Sequence, residues 1–151
     1  MPAAEIGRPA GGGNGEPHVY DYAVIRVVPR VEREEFVNAG VIVSCQAAGY
    51  LEAALELDEA RLLAIDPAVD LALVREHLAA IPRICAGGAD GGPIGSLPVR
   101  ARFHWLTARR SAIVQTSPVH TGRAARLDGL LDHLLGRLVR HVPGTPVGRS
   151  G

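Results

Sequence analysis

Apolar residues recur with two different periods along this chain, and the change of period marks its elements. Residues 20–28, YDYAVIRVV, alternate. Tyr20, Tyr22, Val24, Arg26 and Val28 fall on one face, and Ala23, Ile25 and Val27 on the other. Both faces are apolar, which predicts a central strand with Arg26 intruding on one of them. Residues 36–45, FVNAGVIVSC, predict a second strand in which Val37, Ala39, Val41, Val43 and Cys45 share a face. Gly40 within it predicts a bulge or a close backbone approach. QAAGY is a turn. Residues 50–57, YLEAALEL, place Leu51, Ala53, Leu55 and Leu57 inward and Glu52 and Glu56 outward, the pattern of a half-buried antiparallel strand.

The period then lengthens. Asp58 caps a short helix, EARLLAI, and Asp66 with Pro67 repeats the device for a second helix with Leu71, Val74, Leu78 and Ile81 at helical spacing. Pro82 is expected to kink or end it. After the Gly/Pro-rich loop CAGGADGGPIGSLPVR, RFHWLT and SAIVQTS read as two strands, and ARR between them as a hairpin turn. In QTSPVHTG, Pro118 ends the pairing and Gly122 releases the chain. A final helix over 126–141 carries Leu127, Leu131, Leu134 and Leu138 on one stripe, widened by Leu130 and Leu135. The expected order is β-β-β-α-α-β-β-α. Short links favour antiparallel pairing. The fold class is therefore α+β, two-layer, with a mostly antiparallel sheet of about five strands and helices on one face. It occupies a single domain over 18–141. Residues 1–17 are a Gly/Pro-rich tail expected to be disordered, and 142–151 a flexible one.

Charge alters this picture only locally. Sixteen basic and sixteen acidic residues cancel, which argues against a dedicated nucleic-acid binder. Yet residues 91–127 hold six arginines and no Asp or Glu, while 52–76 hold seven acids and two arginines. All the basic residues other than histidine are Arg, a bias that weakens any reading of a single Arg as selected for function. Cys45 and Cys85 sit in apolar runs and read as small buried hydrophobes without zinc-site spacing. No apolar run reaches the 18 residues of a membrane span, and the Gly-rich start has no secretory apolar core; a cytoplasmic location is expected.

The candidate chemistry is sparse. GGADGGPIGS lacks the Gly-Lys-Ser/Thr ending of a phosphate loop, and the chain has no lysine to supply. The six histidines show no HExxH spacing. His104 and His120 could meet near the hairpin but lack a third ligand, so no metal is expected. Ser117 and His120 do not match a nucleophile elbow, so no catalytic residue is assigned. No cofactor is expected. Two polar groups fit anion or partner binding better. Arg109 and Arg110, at the hairpin tip, would work with Ser117, His120 and Thr121 as donors. Arg26, Arg30 and Asn38 form the other group, though an ion pair of Arg26 with Glu52, Glu56 or another strand acid would serve structure alone.

YDYAVIRVVPRVEREEFVNAGVIV, LDEARLLAIDPAVDLALVREHLAAI, CAGGADGGPIGSLP and RFHWLTARRSAIVQTSPVHTG, in that order, resemble the bacterial domain-of-unknown-function family 3037 over about residues 20–139. The resemblance brings no activity and no catalytic residues. It implies a HipA-like kinase protein as a gene neighbour, and so a regulatory or complex-forming role. One departure is visible. After HTG the family pattern implies a short insert with Cys and an Asp-Pro pair, where this chain runs directly into RAARLDG. The expected function is a non-enzymatic partner-binding or regulatory module. The alternative is an enzyme or sensor acting on an anionic or phosphorylated small molecule through an Arg/His pocket.

Overall fold

A computed structural model describes residues 16–110 and 112–140. The expected N-terminal tail lies outside them up to residue 15, as do His141 and the C-terminal tail. Five strands form one sheet: β1 (His18–Val27), β2 (Val37–Cys45), β3 (Tyr50–Leu55), β4 (Val114–Thr116) and β5 (His120–Ala124). The helices are α1 (Glu59–Ile65), α2 (Leu71–Ala86), α3 (Gly92–Gly95), α4 (Val99–Thr107) and α5 (Leu130–Leu138). The strand order is β3-β2-β1-β4, with β5 also on β1, and every pairing is antiparallel. The α+β class and the positions of the first three strands are as the hydrophobic pattern predicts, but Val37, Ala39, Val41, Val43 and Cys45 do not share one face of β2.

The central position of β1 follows from its two apolar faces. Ile25 and Val27 join Val37, Ala39, Ile42 and Leu51 in a first core with Leu62 of α1, Val74, Leu78, Ile81, Ile84 and Cys85 of α2, and Phe103 and Leu106 of α4. Tyr20 joins Val41, Val43 and Cys45 in a second core, with Leu130, Leu134 and Leu135 of α5. Helices α1–α4 thus lie on one face while α5 packs on the other, which corrects the expected two-layer arrangement with all helices on one face: β1 and β2 are apolar on both faces, and each face must be covered. A bulge makes this possible. The β1–β2 register slips between Ile25 and Arg26, opposite Gly40, so Val37 and Ala39 point into the first core and Val41, Val43 and Cys45 into the second. A Cβ on Gly40 would lie 2.5 Å from the Ala54 carbonyl oxygen, so the strands can approach this closely only at glycine.

Four further expectations need correction. RFHWLT is helix α4, not a strand. Val99, Phe103 and Leu106 recur at four- and three-residue intervals and pack on the first core, so helical burial outweighs the local β-propensity of Phe and Trp. No ARR hairpin therefore exists; residues 108–110 link α4 to β4. The α2 cap is Asp70, whose carboxylate accepts from the Leu73 amide at 3.1 Å, while Asp66 accepts from Ala68 in a tight turn. Finally, α2 runs through Pro82 to Ala86, because Ile81, Ile84 and Cys85 keep the following turn buried.

QTSPVHTG also differs from expectation. It does not leave the sheet at Pro118. β4 and β5 are two lengths of one edge strand on β1, with the register slipped by one residue between Thr116 and His120. Gly122 is a strand residue opposite Tyr20, and a Cβ there would lie 2.6 Å from the Tyr20 ring. Pro118 interrupts the ladder because it has no amide hydrogen.

Candidate functional site

Arg26, on β1, faces Asn38 on β2 and Gln115 on β4. Its guanidinium carbon lies 4.2 Å from the Phe36 ring centroid, a cation–π contact. The expected ion pair with Glu52 or Glu56 is not made; Glu56 instead accepts from Arg140 at 3.0 Å. Side-chain direction explains this. Glu56 lies beyond the end of β3, within reach of the chain after α5, whereas Arg26 is held between its strand neighbours. Asn38 donates to the Leu138 carbonyl at 2.9 Å and so ties β2 to the C-terminal end of α5. Arg26 Nε and Asn38 Oδ1 are both buried without a hydrogen-bond partner among the described residues. Arg30 turns away toward Asp66, 3.7 Å distant.

The second predicted group is dispersed. Ser117 is buried and structural: its amide donates to the Val24 carbonyl and its hydroxyl accepts from the Val24 amide, each at 2.8 Å. The hydroxyl supplies an acceptor that the broken edge strand cannot. Thr121 donates to Asp21 at 2.8 Å. His120 is exposed and lies against the Tyr22 ring, with 5.4 Å between centroids. Arg110 folds back on the end of α4, with its guanidinium 4.5 Å from the Trp105 ring centroid, donating to the Trp105 carbonyl and, at 3.4 Å, to that of Ala108. Arg109 beside it is exposed.

These residues do not form one pocket. β4 begins opposite Val27, whereas His120 lies opposite Tyr22, five residues back along β1, or about 17 Å at the strand repeat. His120 and its Tyr22 partner belong to the α5 face, and α4 with Arg110 to the other. His104 on α4 and His120 on β5 are separated in the same way. Among the described residues no three His, Cys, Asp or Glu side chains are placed to hold a metal.

The structure does assemble a polar cluster that the sequence pattern did not single out. Arg100 of α4 donates to Asp21 at 2.6 Å and to Ser44 at 3.0 Å, and Asp21 also accepts from Thr121. Burial pushes the Asp21 carboxyl up, but the hydrogen bonds from Arg100 and Thr121 and the Arg100 charge outweigh it and hold the group below its usual value. Asp21, Ser44, Val19, Gln46 and Ala47 line an open depression of about 430 Å³ at this end of the sheet. Both Asp21 oxygens and two guanidinium nitrogens are engaged, so the cluster clamps α4 to β1, β2 and β5. An acid inside an otherwise apolar strand was the available signal; its arginine, 79 positions later, carried none.

Arg102 was also missed. It is buried, and donates to the Ile84 carbonyl at 3.5 Å, where the open carbonyls of the α2 C-terminus favour a cation. Burial pushes the thiol of nearby Cys85 up to about 12, against a smaller opposing effect of Arg102. That thiol is unreactive at neutral pH, in keeping with a packing role. Both cysteines are buried and free.

The outer side of α4 has a different character. Its inward residues are Arg102, Phe103 and Leu106; His104, Trp105 and Ala108 face solvent. Trp105, the only tryptophan of the chain, is 38% exposed, as is Leu97 before the helix. No helix in the described residues is long and apolar enough to cross a membrane.

The model of a family described as "protein of unknown function (DUF3037)" matches residues 22–139. Comparison with curated proteins and with solved structures yields no match.

Proposed function

We propose that this chain, which belongs to the DUF3037 family, is a non-enzymatic module that binds a protein partner. The observation that carries the reading is the exposed Trp105 held under the Arg110 guanidinium. Tryptophan and arginine are the residue types that most often dominate binding energy at protein interfaces. Here both are oriented in advance, so docking costs little side-chain entropy. Several polar residues that could serve a reaction are instead committed to the fold. Ser117 completes the edge strand, Thr121 and Arg100 hold Asp21, and Asn38 fixes α5.

The HipA-like kinase protein implied as a gene neighbour by the family resemblance is the first partner to test. Co-expression with the tagged chain, followed by affinity capture at micromolar concentration, is expected to retain the kinase through washing. A kinase that washes away as fast as an unrelated control protein refutes this partnership.

A further inference from the structure

The partner-binding reading leaves open where the partner sits and what it is made of. Many exposed arginines here meet carboxylates: Arg33 pairs with Glu35, Arg75 with Glu59, and Arg140 with Glu56 and Asp132. Arg61, Arg83 and Arg137 are also exposed and form no ion pair among the described residues, but at the end of α4 two adjacent arginines, Arg109 and Arg110, stand so beside an exposed tryptophan. Arg110 bonds only to the ring and carbonyls of its own segment, and neither it nor Arg109 forms an ion pair among the described residues. Residues 91–127 contain no acid that could supply one locally. Beside these two charges lie exposed Trp105 and His104, with Leu97 at the other end of the helix. The result is a surface that is cationic at one end, with a half-exposed indole beside the charges and a half-exposed leucine before the helix.

We infer that the outer face of α4, with Leu97, Trp105, Arg109 and Arg110, is the docking surface for an acidic segment of the protein partner. Carboxylates of that segment meet Arg109 and Arg110, and an aliphatic side chain covers Trp105. Charge complementarity selects this occupant. A guanidinium fork matches a carboxylate in geometry and charge, and the indole face offers apolar area that a purely polar strand of charges would leave wet. A second copy of the chain would have to bring its own acidic 52–76 region to this face. Such a heterologous contact would build rings or open chains of molecules, which self-association in the test below would reveal. Zero net charge and a single exposed tryptophan make a nucleic acid the poorer fit.

The inference rests on the partner-binding reading, and one titration separates the two. The co-expressed HipA-like kinase is added to the intact chain while Trp105 emission is followed. Wild type should shift to the blue on binding relative to the summed emission of the two separate proteins, because the chain's only indole becomes buried. Arg109→Glu makes no contact that folding needs and should weaken binding at least tenfold. Trp105→Ala, followed by calorimetry, should do the same. Arg126→Glu, between β5 and α5, should bind as wild type. If wild type binds and Arg109→Glu binds equally well, the α4 surface is overturned and the partner reading survives. If wild type does not bind, the reading fails and the surface falls with it. Self-association, or a salt-sensitive emission change with a DNA oligonucleotide and none with the kinase, would also overturn the acidic-protein occupant.

Discussion

Arginine supplies every basic side chain of this chain other than histidine, and its neighbours give it different tasks. Arg100 is charge-paired to Asp21, Arg26 lies over Phe36, Arg102 is buried at the end of α2, and Arg110 covers Trp105. Only the first of these is paired with a carboxylate. The Asp21 carboxyl is more acidic in the folded chain than its ordinary value, so in acid the unfolded chain binds the extra proton. Its contribution is complete above the ordinary aspartate range and is lost as pH falls through the folded-state value. Asp21→Asn should therefore lower stability near neutral pH by about 1–2 kcal/mol, the worth of a charge-assisted hydrogen bond with some solvent screening. Urea melts of both proteins at falling pH should converge in strong acid. A difference that stays constant, or grows toward acid, would show that Asp21 is not held as a paired carboxylate.

The broken edge strand shows how an element can depend on one side chain. Pro118 and the slipped register leave the Val24 amide opposite no regular backbone acceptor, and the Ser117 hydroxyl replaces it at 2.8 Å. Ser117→Ala removes that acceptor and leaves a buried amide unpaired, which costs about 1–3 kcal/mol. Hydrogen exchange should report the same event as faster exchange at Val24 relative to Ala23 and Ile25. An unchanged rate at Val24 would show that water or backbone takes over. The interruption has a second consequence: β4 and β5 are short, slipped in register and separated by a proline, features that discourage another strand from adding to this edge. The α4 end, with its fixed Trp105–Arg110 pair, is better prepared for a partner than this edge is.

Two cores share one sheet, and this governs how the molecule unfolds. Val41 and Val43 face α5, while Ile42 between them faces α1–α4, so neither core can be lost without disturbing β2. Leu134→Ala, in the smaller core, should cost about 2–5 kcal/mol through lost burial and the cavity left behind. Trp105 sits on α4, across the sheet from that site. Its fluorescence midpoint should nonetheless fall together with the far-UV circular dichroism midpoint, as in a single cooperative transition. If the dichroism moves and the Trp105 transition does not, the two cores unfold independently.

The hydrophobic pattern by itself determined where β1, β2 and β3 run, that Gly40 is a bulge or close approach, the burial of Leu51, both buried cysteines, the Asp58 cap of α1 and the leucine stripe of α5. In each case the signal is local: a period of two or of about 3.6, a glycine in a strand, an acid before a helix. It misplaced α4 and β5 because their identity depends on distant partners. RFHWLT has the composition of a strand, but Phe103 and Leu106 meet the first core only as a helix; HTG has the composition of a turn, but Tyr20 accepts Gly122 as a strand neighbour. The candidate residues divide in the same way. Their polarity and charge are visible in the sequence, and so is the absence of acids from 91–127. Whether Arg109, Arg110, His120, Arg26 and Asn38 converge is a question of sheet face and strand register. The tertiary structure brings Arg26 beside Asn38, leaves His120 farther along the same face, sets Arg110 on the other face, and puts Arg100 on Asp21 across 79 positions of chain. Hydrogen bonds and ion pairs act over a few ångströms in space, and spacing along the chain cannot report a distance that only packing creates.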